Sequence, residues 1–169
     1  MSIYLGLGSN SGNRRRYLSM AIQDLRTRGI RPIQTSSIYE TEPVGTPGQR
    51  NFLNMVCRVE TVDGPLSLLD CCQKIELKLG RKHQEIARTI DIDLLFFRGL
   101  LFSGHRLNVP HPRLYNRRFV LLPMAEIAPN FLDPQSGSPI SDLLEKCQDS
   151  SSVRPLRHFM PTYPRKPLL

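Results

Sequence analysis

The amino-acid sequence predicts a single α+β domain with a ferredoxin-like fold, in which an antiparallel sheet packs with helices on one face. The main observation is the order of the elements, strand-helix-strand-strand-helix-strand, which is the ferredoxin-like pattern. A second is residues 88–97, a run of β-branched and aromatic residues without glycine or proline. A third is the length of 169 residues with 40% hydrophobic residues, which suits one domain with a substantial core.

The first elements follow from periodicity and turn chemistry. Residues 2–8 alternate apolar side chains with small or aromatic ones, which predicts a strand. Residues 9–13 are rich in Ser, Asn and Gly, the chemistry of a turn and a helix cap. Residues 14–28 carry apolar side chains at helical spacing, and Gly29 ends that helix. A second strand is expected over 33–39.

The middle of the chain repeats this alternation of elements. Residues 41–49 contain too many prolines and glycines for regular structure and predict a long loop. A third strand is expected over 52–62, and a second helix begins at Pro65, a residue suited to the first helical position. Gly80 stops that helix, and residues 81–88 form a basic loop before the strand at 88–97.

The last third carries weaker signals. Residues 99–109 predict a short hairpin, and helices are expected over about 116–127 and 139–147. The segment 150–169 is Ser-rich and then Pro- and Arg-rich, so we expect no regular element there. The sequence therefore predicts one domain over 1–149, followed by a Pro/Arg-rich tail.

Composition narrows the class of protein. The formal net charge of +8 implies an anionic partner, which on charge alone could be a phosphorylated small molecule, nucleic acid or membrane lipid. No stretch approaches the length of a membrane helix, and the N-terminus enters an apolar strand without a signal peptide. The four cysteines form no CxxC pair and are expected as reduced thiols, so we predict a cytoplasmic protein.

Two carboxylates in the strand at 88–97 are the main candidates for chemistry. Side chains alternate along a strand, so Ile90, Ile92 and Leu94 should face one side. Asp91 and Asp93 should then face the other, where they repel each other unless a cation lies between them. The simple alternative is a solvent-facing edge strand. The apolar strand and its flanking arginines favour a Mg²⁺ site that keeps positions for phosphate oxygens.

Other motifs are less specific when considered alone. Residues 6–12 contain three glycines, but their spacing fits neither the dinucleotide fingerprint nor the P-loop, so a tight turn is the favoured interpretation. Gln73 and Glu76 are three apart and should share a helix face, which could be a solvated surface. Local sequence favours core positions for Phe52 and Phe119. Basic side chains flank the carboxylate pair and suit a polyphosphate; they are Arg81, Lys82, His83, Arg88, Arg106, His111, Arg117 and Arg118.

Seven motifs in one order give a more specific signal. They are Gly-Leu-Gly-Ser-Asn at 6–10, Phe-Leu-Asn at 52–54, Gln-x-Ile-Glu at 73–76, Gly-Arg at 80–81, Arg-Thr-Ile-Asp-Ile-Asp at 88–93, Val-Pro-His-Pro-Arg at 109–113 and Arg-x-Phe-Val-Leu-x-Pro at 117–123. Together they resemble the 6-hydroxymethyl-7,8-dihydropterin pyrophosphokinases of folate biosynthesis. The resemblance covers about residues 1–147, and the Arg-Thr-x-Asp-x-Asp block together with the Pro-His-Pro-Arg block carries most of its specificity.

The resemblance implies a role for each matching position. Asp91 and Asp93 would bind two Mg²⁺ ions that bridge ATP phosphates, and the pterin would stack between Phe52 and Phe119. The edge of the pterin would contact Thr41, Pro43, Val44, Gly45 and Asn54. The nucleotide would contact Gln73, Glu76, Arg88, Leu94, Arg106, His111 and Arg117.

The basic loop would supply catalytic cations. The resemblance implies that Arg81 and either Lys82 or His83 belong to a mobile loop that closes over the phosphates, with Arg88 at its end. Family members commonly carry Arg-Trp-Gly-Pro-Arg before the Thr, whereas residues 83–88 here are His-Gln-Glu-Ile-Ala-Arg. The loop is shorter and has no Trp, so Ile86 is the apolar residue available for closure.

The implied reaction is transfer of the pyrophosphoryl group of ATP to the hydroxymethyl oxygen of the pterin, with release of AMP. ATP and the pterin would be the only partners of a monomer, without nucleic acid or membrane. Residue chemistry leaves two alternatives open. One is a basic ferredoxin-like RNA-binding module, disfavoured by the sparse aromatic residues of the strands and by the Asp pair. The other is a kinase that transfers the γ-phosphoryl group of ATP, which only the resemblance disfavours.

Overall fold

The computed structural model describes residues 2–43, 48–81 and 87–156 of the chain. Its strands and helices follow one another closely along the sequence. In order they are β1 Ile3–Ser9, α1 Arg14–Thr27, β2 Arg31–Thr35, β3 Tyr39–Thr41, β4 Phe52–Glu60, α2 Pro65–Lys78, β5 Asp91–Phe97, β6 Phe102–Ser103, β7 Asn108–Val109, a 3-10 turn Leu114–Asn116, α3 Arg118–Ile127, α4 Ile140–Glu145 and β8 Val153–Pro155.

The six-stranded sheet confirms the predicted ferredoxin-like fold. Its strand order is β5-β1-β4-β3-β8, with β2 pairing along the other half of β4, and these pairings are antiparallel. The first strand therefore lies between the third and the last strands of the predicted pattern, as a ferredoxin-like sheet requires. The short strands β6 and β7 pair separately, which confirms the predicted hairpin.

Local sequence explains where the first two helices begin and end. The side-chain Oδ1 of Asn13 accepts a hydrogen bond from the backbone N–H of Arg16 at 3.1 Å, which caps α1. Pro65 occupies the first turn of α2, where its missing N–H costs nothing. Gly80 adopts φ +86° after α2, and the next N–H, of Arg81, bonds to the Glu76 carbonyl at 3.0 Å. This turn directs Arg81 towards Asp91 at the start of β5.

Two apolar clusters cover the two faces of the sheet. One joins β1, β4 and β5 to α1 and α2, with buried residues such as Leu5, Leu18 and Ile75. The other lies under α3 and α4, where the rings of Tyr4 and Phe131 meet edge to face with centroids 5.0 Å apart. The expectation that helices cover one face is therefore wrong, because the apolar faces of the last two helices pack on the other.

The second predicted strand, residues 33–39, is divided in the structure. Residues 31–35 pair with the C-terminal half of β4, and residues 39–41 pair with its N-terminal end. The break falls at residues 36–38, where the hydroxyl of Ser36 accepts the backbone N–H of Val56 at 2.9 Å. Both segments remain on the same edge of β4, so the division leaves the topology unchanged.

The segment after residue 149 contributes an edge strand. β8 pairs antiparallel with β3, placing Val153 opposite Thr41, and the N–H of Leu156 donates to the Ile38 carbonyl at 2.8 Å. The expectation of no regular element is wrong for residues 153–155. The sequence shows no apolar periodicity at these residues. A three-residue edge strand needs none, because backbone hydrogen bonds to its neighbour can hold it. The proposed domain boundary at 149 stays a prediction.

None of the helices within the described ranges combines the length and apolar character that a membrane crossing demands.

Candidate active site

A cavity of about 510 Å³ opens at the end of the sheet where β1 and β4 meet the start of β5. Its floor is formed by the sheet, and its walls come from the chain after β3 and from the turn before α3. The lining side of the sheet and the loop after β3 contribute Gly6, Leu7, Gly8, Thr41, Glu42, Gln49, Phe52, Asn54, Met55 and Val56. The other lining residues come from β5 and the segment before it, and from the first turn of α3 and the segment that leads into it. They are Arg88, Asp91, Asp93, Leu95, Pro112, Arg113, Asn116, Arg117, Phe119 and Val120. The cavity thus joins acidic, basic and aromatic side chains.

The two aspartates lie on the cavity face of β5, as the alternation predicts. Ile92 and Leu94 are buried in the cluster beneath α1 and α2, whereas both carboxylates line the cavity. The backbone positions opposite them on β1 are Gly8 for Asp91 and Gly6 for Asp93. Because glycine has no side chain, β1 places no side chain of its own beside either carboxylate.

Arginine side chains neutralise Asp91. Nη1 of Arg81 lies 2.8 Å from its Oδ1, and Nη1 of Arg88 forms an ion pair with its Oδ2. Arg81 also pairs with the carboxylate of Glu76 on α2. A cation that binds Asp91 would have to displace at least one of these guanidinium groups.

Asp93 has weaker cationic neighbours at greater distance. Nε2 of His111 is 3.9 Å from Oδ1, and Nη1 of Arg117 is 3.6 Å from Oδ2. Burial raises the pKa of Asp93 above its usual range, and the charge of Asp91 raises it further, while His111 and Arg117 oppose both effects. Burial also lowers the pKa of His111, against the attraction of Asp93. Burial and the like charge of Asp91 therefore disfavour the ionised form of Asp93, and the surrounding basic side chains oppose this effect only in part.

The pair has the donor chemistry of a hard divalent cation. Both groups offer carboxylate oxygens to one face of the cavity. No group of three or more His, Cys, Asp or Glu side chains suited to a metal ion occurs in the described parts of the chain. The remaining ligands of an ion held there would be water or substrate oxygens, which is the coordination that Mg²⁺ favours. The residues present thus fit a metal that binds together with phosphates.

Glu76 lies behind the strand that carries the aspartates. Its side chain is 4% exposed, and its Oε1 accepts the backbone N–H of Ile92 at 2.7 Å. Burial raises the pKa of Glu76 to about 7, although the Ile92 hydrogen bond and the Arg81 charge lower it. Gln73, expected on the same helix face, is exposed. Glu76 therefore fixes the start of β5 in this structure.

A second part of the cavity lining, here called the aromatic end, contains aromatic and amide side chains. Phe52 at the start of β4 and Phe119 in the first turn of α3 are both half-buried and line the cavity, so neither lies in the fully buried core that local sequence favours. The guanidinium carbon of Arg117 lies 5.4 Å from the Phe119 ring centroid. Nδ2 of Asn54 donates to Oγ1 of Thr41 at 2.7 Å, and both side chains are buried.

Several predicted site residues lie elsewhere or outside the described chain. The Leu94 side chain is buried in the core, so only its backbone could contact a ligand in the cavity. Arg106 pairs with Asp70 on α2 and does not line the cavity. Pro43 is the last described residue before a gap. The residues that lie outside the described chain are Val44 and Gly45 of the pterin set, and Lys82, His83 and Ile86 of the basic loop.

Sequence reasoning missed several residues of this site. Asn10 holds the backbone of Arg88 through two hydrogen bonds, although the segment 6–12 is interpreted above only as a turn. Arg113 and Asn116 line the cavity beside Arg117. The motifs at 6–10 and 109–113 contain two of these positions and were the available signal. Their contacts depend on the packing of distant segments, which periodicity does not report.

The fold and the site together define a class: a ferredoxin-like domain with a paired-carboxylate, arginine-rich site for phosphate chemistry beside an aromatic slot. Residues 4–129 match the family model described as 7,8-dihydro-6-hydroxymethylpterin-pyrophosphokinase. The chain belongs to this family, which confirms the family prediction made from the motifs.

Individual relatives agree with this assignment. The chain is 44% identical over 127 residues to the 2-amino-4-hydroxy-6-hydroxymethyldihydropteridine pyrophosphokinase of Bacillus subtilis, covering 73% of this chain and 76% of the relative. It is 35% identical over 161 residues to the folic acid synthesis protein fol1 of Pneumocystis carinii, covering 94% of this chain and 22% of fol1. The chain thus spans about a fifth of the length of this fungal relative.

Solved structures support the fold. A Plasmodium falciparum HPPK-DHPS wild-type structure with pteroate matches with a TM-score of 0.70 and 17% identity. That match covers 86% of this chain and 42% of the other. At this identity the likeness shows the fold, and the chain spans less than half of the matched protein.

Proposed function

We propose that this chain transfers the pyrophosphoryl group of ATP to the hydroxymethyl oxygen of 6-hydroxymethyl-7,8-dihydropterin, releasing AMP, in tetrahydrofolate biosynthesis. The observation that carries the proposal is one continuous cavity in which the Asp91/Asp93 pair and the Phe52/Phe119 walls lie together. Family membership supports an ATP-dependent reaction with a divalent metal ion. A phosphate site joined to an aromatic slot suits a reaction between a nucleotide and a flat heterocycle.

At the aromatic end, the pterin ring would stack between Phe52 and Phe119. Stacking on aromatic side chains is tolerant of ring chemistry, so hydrogen bonds must select the pterin. The Asn54 amide, already oriented by Thr41, is the buried polar group available for the ring edge. Pro43 and the backbone of Val44 and Gly45 are proposed to complete this edge.

At the acidic end, Asp91 and Asp93 would hold Mg²⁺, with two ions proposed. When bound, the metal supplies charge neutralisation for the phosphates. Arg88, Arg117 and His111 surround the carboxylates and would position the nucleotide. Gln73, Glu76, Arg106 and the Leu94 backbone remain proposed nucleotide contacts. Arg106 pairs with Asp70, so it would have to leave this carboxylate before it could bind phosphate.

The proposed chemistry is a displacement at the β-phosphorus. The hydroxymethyl oxygen forms a bond to that phosphorus, the bond to the bridging oxygen of AMP breaks, and the hydroxyl proton passes to solvent or phosphate. No side chain of the cavity stands out as a general base. The main rate enhancement would come from two effects. The cavity orients the two substrates, and cations around the transferred group stabilise its charge. Arg81 and Arg88 would exchange their contacts with Asp91 for contacts with phosphate.

Product analysis tests this proposal against its alternatives. Incubation of the chain with Mg²⁺, ATP and 6-hydroxymethyl-7,8-dihydropterin should produce AMP and the pterin diphosphate in equal amounts. ADP with a pterin monophosphate would indicate γ-phosphoryl transfer and contradict the proposal. Salt-sensitive RNA binding without any turnover would favour the RNA-binding alternative.

The proposed partners are ATP and the pterin alone, without nucleic acid or membrane. We further propose a cytoplasmic monomer. Light scattering coupled to size-exclusion chromatography should give the mass of one 19.3 kDa chain. A dimer mass would contradict the monomer, without bearing on the reaction.

Phe119→Ala should weaken pterin binding by roughly 1–3 kcal/mol, by analogy with bases stacked on aromatic residues. ATP affinity should change little, since Phe119 lies at the aromatic end of the cavity. Titration calorimetry with each ligand measures both effects. Phe131→Ala is a control, because Phe131 packs against Tyr4 under α4 and does not line the cavity. A loss of ATP affinity with unchanged pterin affinity would contradict the assignment.

Gly8→Ala should also weaken pterin binding while the fold is kept. A Cβ at position 8 would lie 2.7 Å from Oδ1 of Asn54, too close for both to keep their positions. The amide must then move from the cavity floor. Gly6→Ala is the matched control on the same strand, since its Cβ would lie 3.4 Å from the Leu95 side chain. We expect at least about a tenfold weaker pterin affinity for Gly8→Ala, near 1.4 kcal/mol, measured by calorimetry. Equal effects of the two variants would contradict the role of Asn54.

A further inference from the structure

Asn10 follows β1 at the edge of the cavity and uses its backbone and side chain in three contacts. Its N–H donates to the Arg88 carbonyl at 3.0 Å, and its Oδ1 accepts the Arg88 N–H at 2.6 Å. Its Nδ2 donates to Oε1 of Gln49 at 3.1 Å. The residue is 4% exposed, so these bonds form away from bulk water. Asn10 is therefore fixed by partners on two different segments.

These two segments contribute different parts of the cavity lining. Arg88 lines it at the acidic end and pairs with Asp91. Gln49 lines it on the loop that leads into Phe52 of the aromatic end. A buried amide with both halves engaged cannot follow a shift of one partner without loosening the other. The geometry therefore provides a direct physical connection between the two segments.

We propose that Asn10 is a positioning residue that couples ligand binding at the aromatic end to the placement of Arg88 at the acidic end. The inference rests on the proposed function, because it assigns the two ends to pterin and nucleotide. A ligand that orders Gln49 stabilises the Asn10 side chain, which holds the Arg88 backbone where its guanidinium reaches phosphate. Coupling of this kind is reciprocal, so nucleotide binding should strengthen pterin binding by the same factor.

The coupling is measured from pterin affinity with and without a saturating non-hydrolysable ATP analogue and Mg²⁺. In the unmodified chain we expect the analogue to tighten pterin binding by about fivefold or more. Asn10→Ala and Gln49→Ala should reduce this factor below about twofold, because each removes the contact between the segments. Gln49→Glu should retain it, since a carboxylate oxygen also accepts the Asn10 N–H.

Asn13→Ala is the matched control. Asn13 lies three residues further along the same segment, caps α1 through Arg16, and touches neither end of the cavity. It should lower Tm without changing the coupling factor. If Asn10→Ala does not fold, the two Gln49 variants give the same comparison.

An unchanged factor in Gln49→Ala, or an equal loss in Asn13→Ala, would overturn the proposal. Failure of the proposed function has a different signature. The unmodified chain would then bind neither ligand, and the inference would fall with it.

Discussion

Asp93→Ala is expected to lower kcat by at least about a thousandfold, near 4 kcal/mol of barrier. Asp93 is one of two carboxylates on the cavity face of β5, and no third acidic or histidine ligand completes a metal cluster among the described residues. Loss of one carboxylate would therefore remove half of the proposed protein ligands for the ion. Single-turnover kinetics and MgATP titration should show a slower chemical step and weaker MgATP binding. The apolar face of β5 is untouched, so the fold should persist.

Glu60→Ala is the control for removing a carboxylate from the same sheet. Glu60 ends β4 and pairs with Arg31 at an exposed position, where an ion pair contributes little. Its turnover should match that of the unmodified chain. The metal assignment is wrong if Asp93→Ala retains normal turnover. Increased thermal stability of Asp93→Ala in the absence of metal would agree with it, because like charges on one strand face repel.

Strong periodicity made much of the fold predictable. β1, α1, β4, α2 and β5 begin within about three residues of their predicted starts, because each alternates or repeats apolar residues against one core. The second strand was predicted as one element, whereas it is divided at residues 36–38, where the Ser36 side chain accepts the Val56 N–H. β8 was missed for another reason: its edge position needs no apolar pattern.

The site was predictable where chemistry follows from one strand. The same-face geometry of Asp91 and Asp93 follows from alternation alone. The placement of Phe52 and Phe119 in one cavity needed the resemblance, since they lie on elements far apart in the chain. Asn10 and the interior position of Glu76 depend on how α2 and the turn after β1 pack on β5, information that local sequence does not contain.

Arg81→Ala is expected to lower kcat by at least about tenfold, roughly 1.4 kcal/mol of barrier, with a smaller effect on the ATP dissociation constant. Arg81 now pairs with Asp91 and Glu76, and it reaches phosphate only by leaving them. A group that contacts the phosphates mainly in the transition state affects rate more than affinity. Arg88→Ala should change both quantities, because Asn10 already fixes the Arg88 backbone at the cavity. Rapid-quench kinetics and equilibrium ATP binding separate the two variants.

Stability provides a second measurement for the same variant. Removing Arg81 leaves the buried Glu76 carboxylate without its cation, which should cost roughly 1–3 kcal/mol of unfolding free energy. Burial already raises the pKa of Glu76 to about 7, and loss of Arg81 raises it further. A carboxyl whose folded pKa exceeds its unfolded value loses stability as pH rises between the two, so the deficit should be larger at pH 8 than at pH 5.

Added Mg²⁺ then tests whether the Arg81 guanidinium competes with a metal ion for Asp91 or has only a structural role. Without Arg81, a metal ion meets less competition for Asp91, so added Mg²⁺ should raise Tm more in Arg81→Ala than in the unmodified chain. Lys78→Ala is the control, since Lys78 pairs with Asp24 on α1 and does not line the cavity. If Arg81→Ala weakens ATP binding as much as it slows the chemical step, Arg81 is a static binding group. An unchanged Mg²⁺ response would show that the Arg81 contact does not compete with metal at Asp91.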